Sequence, residues 1–470
     1  MKLNKPTFLD HAPIADTKLN SDANTWNWRR NHAFEGQAPA NFYEASLSAW
    51  PAFPQQQNDI SCDVLVVGAG LLGSSAALHL AEAGVDVVLI DKGSVGAGAS
   101  GRNGGQLTPG LARWEASDML ANLPVDEAHR LWRFASIESM ELIDQIAERY
   151  GLDLDLKRGH ITAAVHPGHM SALLAGTDAR RRLGDASASV VGQFELSAYI
   201  RSDIYYGGII DRTGGQLHPL ALLRGLIYAF IQQGGGVHEN SEALDMEKHS
   251  DRIVVRTSRG TITARKGAIL AVHHSTFNFL SSVTSTTVPF FTYVGVTAPL
   301  SEDIGEFLPA DMPVYDTQYQ IDYYRAVRGN RLLFGGQGTG TSWSPERIND
   351  YFVDRIKTVF PQMTDPELEF SWSGISDLTL NGATDCRKAG DQTPVYMAHG
   401  WSGHGVAQTV RIGKAISDDL LGHHDDFAML TQIAHIEIPL GRQLSPVAIP
   451  IVKAAFGAIG TVNPGRLISF

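Results

Sequence analysis

Hydrophobic and polar positions alternate along the chain in a way that predicts parallel strands joined by helices. From Cys62, the run CDVLVVGAG is rich in β-branched residues and ends in glycines, the pattern of a buried strand entering a turn. Residues 71–83 (LLGSSAALHLAEA) are good helix formers, and Gly84 stands where a C-cap glycine belongs. DVVLID at 86–91 is a second buried strand, so the three pieces make a βαβ unit with a parallel sheet. From about 125 to 190 apolar and charged residues interleave in helical fashion. A glycine-rich turn and a long helix over 219–233 follow, then two strands within 252–273 joined by Ser258-Arg259-Gly260. Residues 286–340 alternate strand-like runs and predict a second, distinct sheet. PVYMAHGWSGHGVAQTVRIGKAISDDLLG repeats the strand–glycine turn–helix logic. Residues 1–60 are polar without sustained periodicity and read as an extended arm over the body. No stretch approaches the roughly 18 uncharged apolar residues of a spanning segment. The apolar stretch 445–462 comes nearest, interrupted by Pro446, Pro450 and Lys453, and reads as a helix packed on the protein, with a membrane-surface contact as the alternative.

Composition narrows the class. With 470 residues, 43% hydrophobic and 19% charged, the chain holds two or three core-forming units. A net charge of −12 argues against nucleic acid, whose phosphates want a basic face. Two isolated cysteines, Cys62 and Cys386, make neither a disulfide framework nor a metal motif and suit a reducing cytoplasm. The N-terminus carries no apolar core of the kind a secretory signal needs.

Candidate chemistry begins at Gly68-Ala69-Gly70-Leu71-Leu72-Gly73, a GxGxxG directly after a strand and opening a helix. Gly68 makes the tight turn, Gly70 admits a pyrophosphate and Gly73 allows close helix–strand packing. The helix N-terminus offers unpaired N–H groups to the phosphates. Asp91, at the end of the second strand, can accept hydrogen bonds from ribose hydroxyls. The strand–turn–helix–strand–acid context turns a weak motif into a dinucleotide site. The following run, KGSVGAGASGRNGGQLTPG at 92–110, brings backbone close to a flat ring and selects FAD over NAD, a surface loop being the alternative. Within it Lys92, Ala99, Ser100, Arg102, Asn103, Gly104, Gly105, Gln106 and Leu107 are cofactor candidates, with Arg102 serving phosphate or flavin oxygens. The second turn, Gly400 through Trp401, Ser402, Gly403, His404, Gly405 and Val406, opens another helix that can stabilise negative charge on a flavin edge.

These residues carry a resemblance. DVLVVGAGLLGSSAALHLAEAG, GASGRNGGQ, SDIYYGGIIDRTGGQLHPL, QIDYYRAVRGNRLLFGG and GWSGHGV resemble the D-amino-acid oxidase, glycine oxidase and sarcosine oxidase superfamily, and most of all its bacterial γ-glutamylputrescine oxidase branch. The resemblance covers nearly everything from about 40 to 455. It implies an α/β fold with a Rossmann-like FAD domain built from 58–110, 205–280 and 370–425, and an α+β substrate domain with a β-sheet from 111–204 and 281–369. An N-terminal arm (1–57) and a C-terminal extension (426–470) flank them, and Ala243 and Leu244 join the cofactor set.

The activity so implied is oxidation of an amine C–N bond to an imine, hydrolysed to aldehyde and ammonia, with O2 becoming H2O2. The substrate is a small γ-glutamylputrescine-type or other polyamine-derived amine. Oxidation or dehydrogenation of a secondary or D-amino acid is the runner-up, and a flavin-binding module without turnover the rival of another class. Tyr319, Tyr323, Tyr324, Phe290, Phe291 and Trp372 are candidate aromatic walls, and Tyr323, Tyr324, Arg325, Trp372 and His404 are the substrate-pocket candidates. Tyr323 and Tyr324 are neighbours on a strand, so only one points at the site. Amino-acid oxidases of the superfamily resemble one another in a Gly-x-Arg-Pro stretch whose arginine holds the substrate carboxylate. Here the comparable stretch runs from Trp372 through Ser373, Gly374, Ile375 and Ser376 to Asp377 without arginine, which favours an amine; Arg325 remains a candidate anion contact, and Asp377 is a structural acid or a contact for a cation. Sarcosine-type enzymes attach flavin through a cysteine near the place of Gly374, so dissociable FAD is expected here. Leu333 stands where those enzymes carry an oxygen-assisting lysine, leaving O2 or another acceptor open. His273-His274 falls where related chains have small residues near the adenine.

Overall fold

A computed structural model describes residues 3–9, 41–278, 286–438 and 440–467. Much of the expected arm, and 279–285 where two expected segments meet, lie outside the described residues. Two sheets organise the rest. Ile60–Val67 runs between Gly260–Leu270 and Val87–Ile90, with Val395–His399 and Gly236–His238 beyond them, and all five strands are parallel. Parallel strands covered on both faces need apolar residues on both faces, and Val64, Leu65, Val66 and Val67 are all buried. Leu71–Glu82 packs against Pro219–Gln232 and Gly405–Leu420. At that last crossing a Cβ on Gly413 would sit 2.7 Å from the carbonyl oxygen of Leu72, so only glycine lets the helices approach so closely. Asp385–Ala389 closes one edge antiparallel, and a hairpin of Asp245–Lys248 and Ile253–Thr257 adds to Gly260–Leu270.

The second sheet has nine strands, ordered Leu368–Thr379, Thr287–Thr297, Arg331–Thr339, Asp322–Val327, Val314–Asp316, Lys157–Ala163, Gly207–Gln216, Gln106–Leu107, with Ala188–Gly192 also on Gly207–Gln216. Gln106–Leu107, Gly207–Gln216 and Leu368–Thr379 thus pair in this sheet although their sequence segments were assigned to the nucleotide side. The chain crosses between the two sheets inside those segments. Lys157–Ala163 is a strand inside a region whose pattern reads as helical, because the flanking helices Ser139–Tyr150 and His169–Arg182 dominate the periodicity.

Two terminal regions depart from expectation. Residues 41–59 are not simply extended over the body: Phe42–Ala45 is a short helix with Phe42 and Tyr43 fully buried, and Tyr43 donates its hydroxyl to the Asn103 carbonyl at 2.7 Å. Gly441–Val462 forms one helix through Pro446 and Pro450. Among the described residues it is the one helix long and apolar enough to cross a membrane, with mean hydropathy 1.5, against the expectation that no stretch approaches that limit. Its inner face carries Ala448, Ile449, Val452 and Lys453 into a cavity between the sheets, while Leu444, Val447, Ile451 and Val462 are exposed on its outer face.

Candidate active site

The two sheets enclose a cavity of about 1460 Å³, larger than the roughly 300–1,000 Å³ of a typical small-molecule site. At one end lies the first glycine turn. Gly68 has φ +106°, and a Cβ there would fall 2.4 Å from the Ala271 carbonyl oxygen; on Gly73 it would fall 2.0 Å from the Gly68 oxygen. Both positions therefore exclude any side chain. At Gly70 the Cβ would meet the Ser100 hydroxyl at 2.8 Å, so this glycine makes room first for the neighbouring loop. That hydroxyl accepts the Leu71 N–H at 3.0 Å, satisfying one of the free amides that open the helix. Asp91 accepts the N–H groups of Ala69 (2.8 Å) and Gly93 (2.9 Å) and also lines the cavity, so it braces the turn besides offering oxygen to a ligand. Burial raises its pKa, against the pull of those two amides.

The loop at 92–110 wraps the cavity's middle. Lys92, Ala99, Ser100, Arg102, Asn103, Gly104, Gly105 and Gln106 all line it, as do Gly68, Ala69, Gly70, Leu71 and Leu72. Leu107 does not: it is fully buried in the main core. Asn103 ties the loop to itself, donating to the Ala99 and Ser100 carbonyls and accepting the Gly105 N–H. Two residues expected to touch substrate stand behind this loop instead. Arg325, 2% exposed, donates to the carbonyls of Gly104 (2.7 Å) and Leu217 (3.1 Å), and Trp372 donates its indole N–H to the Arg102 carbonyl at 2.8 Å. Both hold the loop from outside the cavity.

The second turn closes the cavity from the other side. Trp401, Ser402, Gly403, His404, Gly405 and Val406 line it at the start of Gly405–Leu420. Asp377, fully buried, anchors this turn by accepting the N–H groups of Gly400 (3.0 Å) and Trp401 (3.2 Å) while pairing with His273 at 2.7 Å. Burial opposes its charge, yet His273 holds its pKa at about 2. Its role is structural. His273, His274 and Ala243 line the cavity, whereas Leu244 is 52% exposed and gives its N–H to Arg256.

At the far end stand Tyr315, Tyr319, Tyr323 and Phe290 beneath the helix Gly441–Val462. Strand parity separates the tyrosine pair. Tyr323 faces the cavity, and a Cβ on Gly104 would touch its ring at 2.5 Å. Tyr324 faces the opposite core, stacked on Phe334 and donating to the Tyr205 hydroxyl at 2.9 Å, so it is not a pocket residue. Phe291 and Leu333 are likewise core. His404 stands edge-on to Tyr315, ring centroids 6.1 Å apart, and burial together with the Arg113 charge lowers its pKa to about 3, so it is neutral at physiological pH. The sequence reading missed Glu44, Arg113, Tyr315 and Lys453, all of which line the cavity. Lys453 donates to Gln337 Oε1 and the Gly338 carbonyl, both at 2.9 Å, and burial lowers its pKa to about 8. A cation interrupting the apolar run 445–462 was the available signal.

Comparison with known proteins agrees with this geometry. The family model described as FAD dependent oxidoreductase (DAO) matches residues 63–419. This chain belongs to that family. Among its relatives, the γ-glutamylputrescine oxidoreductase of Escherichia coli K12 is 32% identical over 406 residues, covering 86% of this chain and 94% of the relative. The probable oxidoreductase OrdL of Haemophilus influenzae is 30% identical over 434 residues, covering 90% and 97%. The crystal structure of glycine oxidase from Geobacillus kaustophilus superposes with TM-score 0.68 at 21% identity, covering 80% of this chain and all of that one.

As a DAO-family member the protein is an FAD-dependent oxidoreductase, and the cavity fits FAD. Two helix N-termini open onto it, at Leu71 and Gly405, on opposite sides of a loop held by its own backbone. Ser371 Oγ, Ser402 Oγ, Gln320 Oε1 and His274 Nδ1 are buried in residues that line it and have no hydrogen-bond partner among the described residues. Buried polar atoms left so are costly unless a ligand or water serves them.

Proposed function

We propose that the protein oxidises the C–N bond of a small amine to an imine, which water converts to an aldehyde and ammonia, with O2 accepting the electron pair and two protons as H2O2. The observation that carries this reading is the aromatic enclosure at the far end of the cavity. Tyr315, Tyr319, Tyr323 and Phe290 surround a space roofed by Ala448, Ile449 and Val452. Such walls desolvate an ammonium and lower its pKa, raising the fraction of reactive free amine. Neutral His404 adds no positive charge to oppose the substrate.

FAD supplies the two-electron acceptor. Gly68 to Leu72, Asp91, Ala99 to Gln106, Ala243 and Trp401 to Val406 would hold it, with Arg325, Trp372 and Asp377 fixing the backbone that meets it. Both cysteines are buried outside the cavity, Cys386 on the edge strand Asp385–Ala389, so we infer that the cofactor is dissociable. Similarity to a γ-glutamylputrescine oxidoreductase over most of both chains supports a γ-glutamylated or other polyamine-derived substrate. Two free cysteines support a reducing, cytoplasmic setting. The test is anaerobic flavin bleaching across putrescine, γ-glutamylputrescine, spermidine, sarcosine and proline, followed by aerobic peroxide detection. Bleaching by an amine with stoichiometric aldehyde supports the reading. Bleaching by secondary amino acids alone refutes it.

A further inference from the structure

Along the helix Gly441–Val462 the usual arrangement of a surface helix is turned inside out. A helix on a globular protein buries its apolar stripe and shows charge to water. Here the two charged residues turn inward. Arg442 donates to the His274 carbonyl at 3.3 Å, and Lys453 donates to Gln337 and Gly338. Among the exposed residues of the helix only Gln443 and Thr461 are polar. Leu444, Val447, Ile451, Ala455, Ile459 and Val462 recur every three or four positions and form one exposed stripe, with Val447 62%, Ile451 63% and Val462 86% exposed. Leu440 extends it on the N-terminal side. Exposed Leu380 and Ile436 add to it there, on segments joined by Asn381 donating to the Ala434 carbonyl at 2.9 Å. The opposite face is fastened to the body along its length. A Cβ on Gly340 would sit 2.5 Å from the Ser445 carbonyl oxygen, Phe456 meets Tyr319 with ring centroids 5.1 Å apart, and a Cβ on Gly168 would sit 2.5 Å from the Gly465 Cα. A helix of 22 residues, about 33 Å long, therefore lies flat on the protein rather than standing away from it.

We propose that this face docks the protein onto an anionic lipid surface, with the helix lying in the plane of the interface. Charge selects that occupant. From Ile438 to Phe470 the sequence carries three cations, Arg442, Lys453 and Arg466, and no acid, in a chain with 50 Asp and Glu and a net charge of −12. This segment can approach anionic headgroups without the repulsion the rest of the chain would meet, and exposed Arg466 stands just past the helix to pair with them. The side chains point the same way. Interfaces between proteins are anchored by aromatic residues and arginine within a polar rim, whereas this stripe is aliphatic and small, its aromatic Phe456 turned onto Tyr319. An acyl layer asks only for apolar area flanked by cations. Leu380 and Ile438 also line the cavity, so the docked face borders the site.

The test is flotation of the FAD-loaded full chain with vesicles of phosphatidylglycerol and phosphatidylcholine, and with vesicles of phosphatidylcholine alone. Wild type is expected to float with the mixed vesicles and more weakly with the neutral ones. The double variant Val447→Glu with Ile451→Glu is expected to lower the vesicle partition at least about tenfold, the factor that burying even one such side chain contributes, with flavin content and thermal midpoint unchanged. A second readout places the helix in the lipid. Because Cys62 and Cys386 are buried, Val447→Cys can be labelled selectively with an environment-sensitive dye. Its emission is expected to shift to the blue on adding mixed vesicles, whereas the dye on Leu421→Cys, past the end of Gly405–Leu420 remote from the cavity, is expected to stay unshifted. Wild type that remains in solution with both vesicles overturns the proposal, as does a double variant that floats unchanged. A dimer that the double variant dissociates, with no vesicle binding by either protein, assigns the face to a second copy and equally overturns it. None of these readouts requires turnover, so the result is independent of the amine-oxidising reading.

Discussion

Around Gly68 and Gly403 the cavity wall is mostly backbone, presented by glycine turns at the starts of Leu71–Glu82 and Gly405–Leu420. Around Arg113 and Tyr323 it is mostly side chains, drawn from the loop at 113, the strands at 290, 315 and 323, and the helix Gly441–Val462. On the reading proposed above, the first end suits a constant ligand, because backbone amides and glycine clearances do not depend on which side chains a loop carries. The second is built for a variable one. Catalytic specificity can drift there while the nucleotide grip stays fixed.

Substitutions at the nucleotide end are expected to destroy the site outright. Gly68→Val places a branched side chain at φ +106° against the Ala271 carbonyl. Backbone strain and overpacking together cost about 5 kcal/mol, so bound flavin should fall below detection in the absorbance ratio of flavin to protein. Retention of normal flavin content would break the comparison.

Asp377, which anchors the second glycine turn, gives the next effect. Its pKa falls from 3.8 to about 2 in the folded state. A depressed carboxylate stabilises the fold fully above its unfolded pKa, and that contribution is lost as pH drops from about 4 towards 2. Asp377→Asn should therefore cost on the order of 2 kcal/mol at neutral pH, with the difference from wild type shrinking in denaturant titrations below about pH 4. A difference that grows on acidification would contradict the sign.

Adjacent residues then give the sharpest contrast at the substrate end. Tyr323→Leu should raise KM about five- to tenfold by removing an aromatic wall. Tyr324→Phe removes the hydroxyl that donates to Tyr205, leaving the buried Tyr205 hydroxyl without that donor, and should cost about 1 kcal/mol of stability, with KM unmoved. The smallest effect belongs to His404. With its pKa at about 3, it contributes no inflection near pH 6.5 to the kcat/KM profile, and His404→Asn should leave the acid limb at the same pH.

The same contrast explains what could be read from the chain. The nucleotide end was legible because its parts are contiguous: strand, GxGxxG, helix, strand and Asp91 lie within about 30 residues, and local geometry dictates each glycine. The alternation rule also showed that only one of Tyr323 and Tyr324 could face the site, but not which. That depended on which face of Asp322–Val327 meets the cavity, a matter of long-range pairing with Val314–Asp316 and Arg331–Thr339. Arg325 and Trp372 misled because a large or charged residue near a site motif reads as chemistry, whereas here each holds a loop carbonyl. Arg113 and Glu44 left no trace, since a single polar residue in a loop or short helix has no periodicity to betray which way it points. Lys157–Ala163 was lost among its helical neighbours for want of strict alternation.

The central claim, one dissociable FAD gripped by both glycine turns, is tested most directly by acid precipitation of the purified protein and quantitation of flavin in the supernatant. The account predicts about one FAD per chain released and a colourless pellet, with FAD rebinding when a gently prepared apoprotein is titrated. Flavin that stays with the pellet, or a protein that neither carries nor takes up FAD, would contradict it.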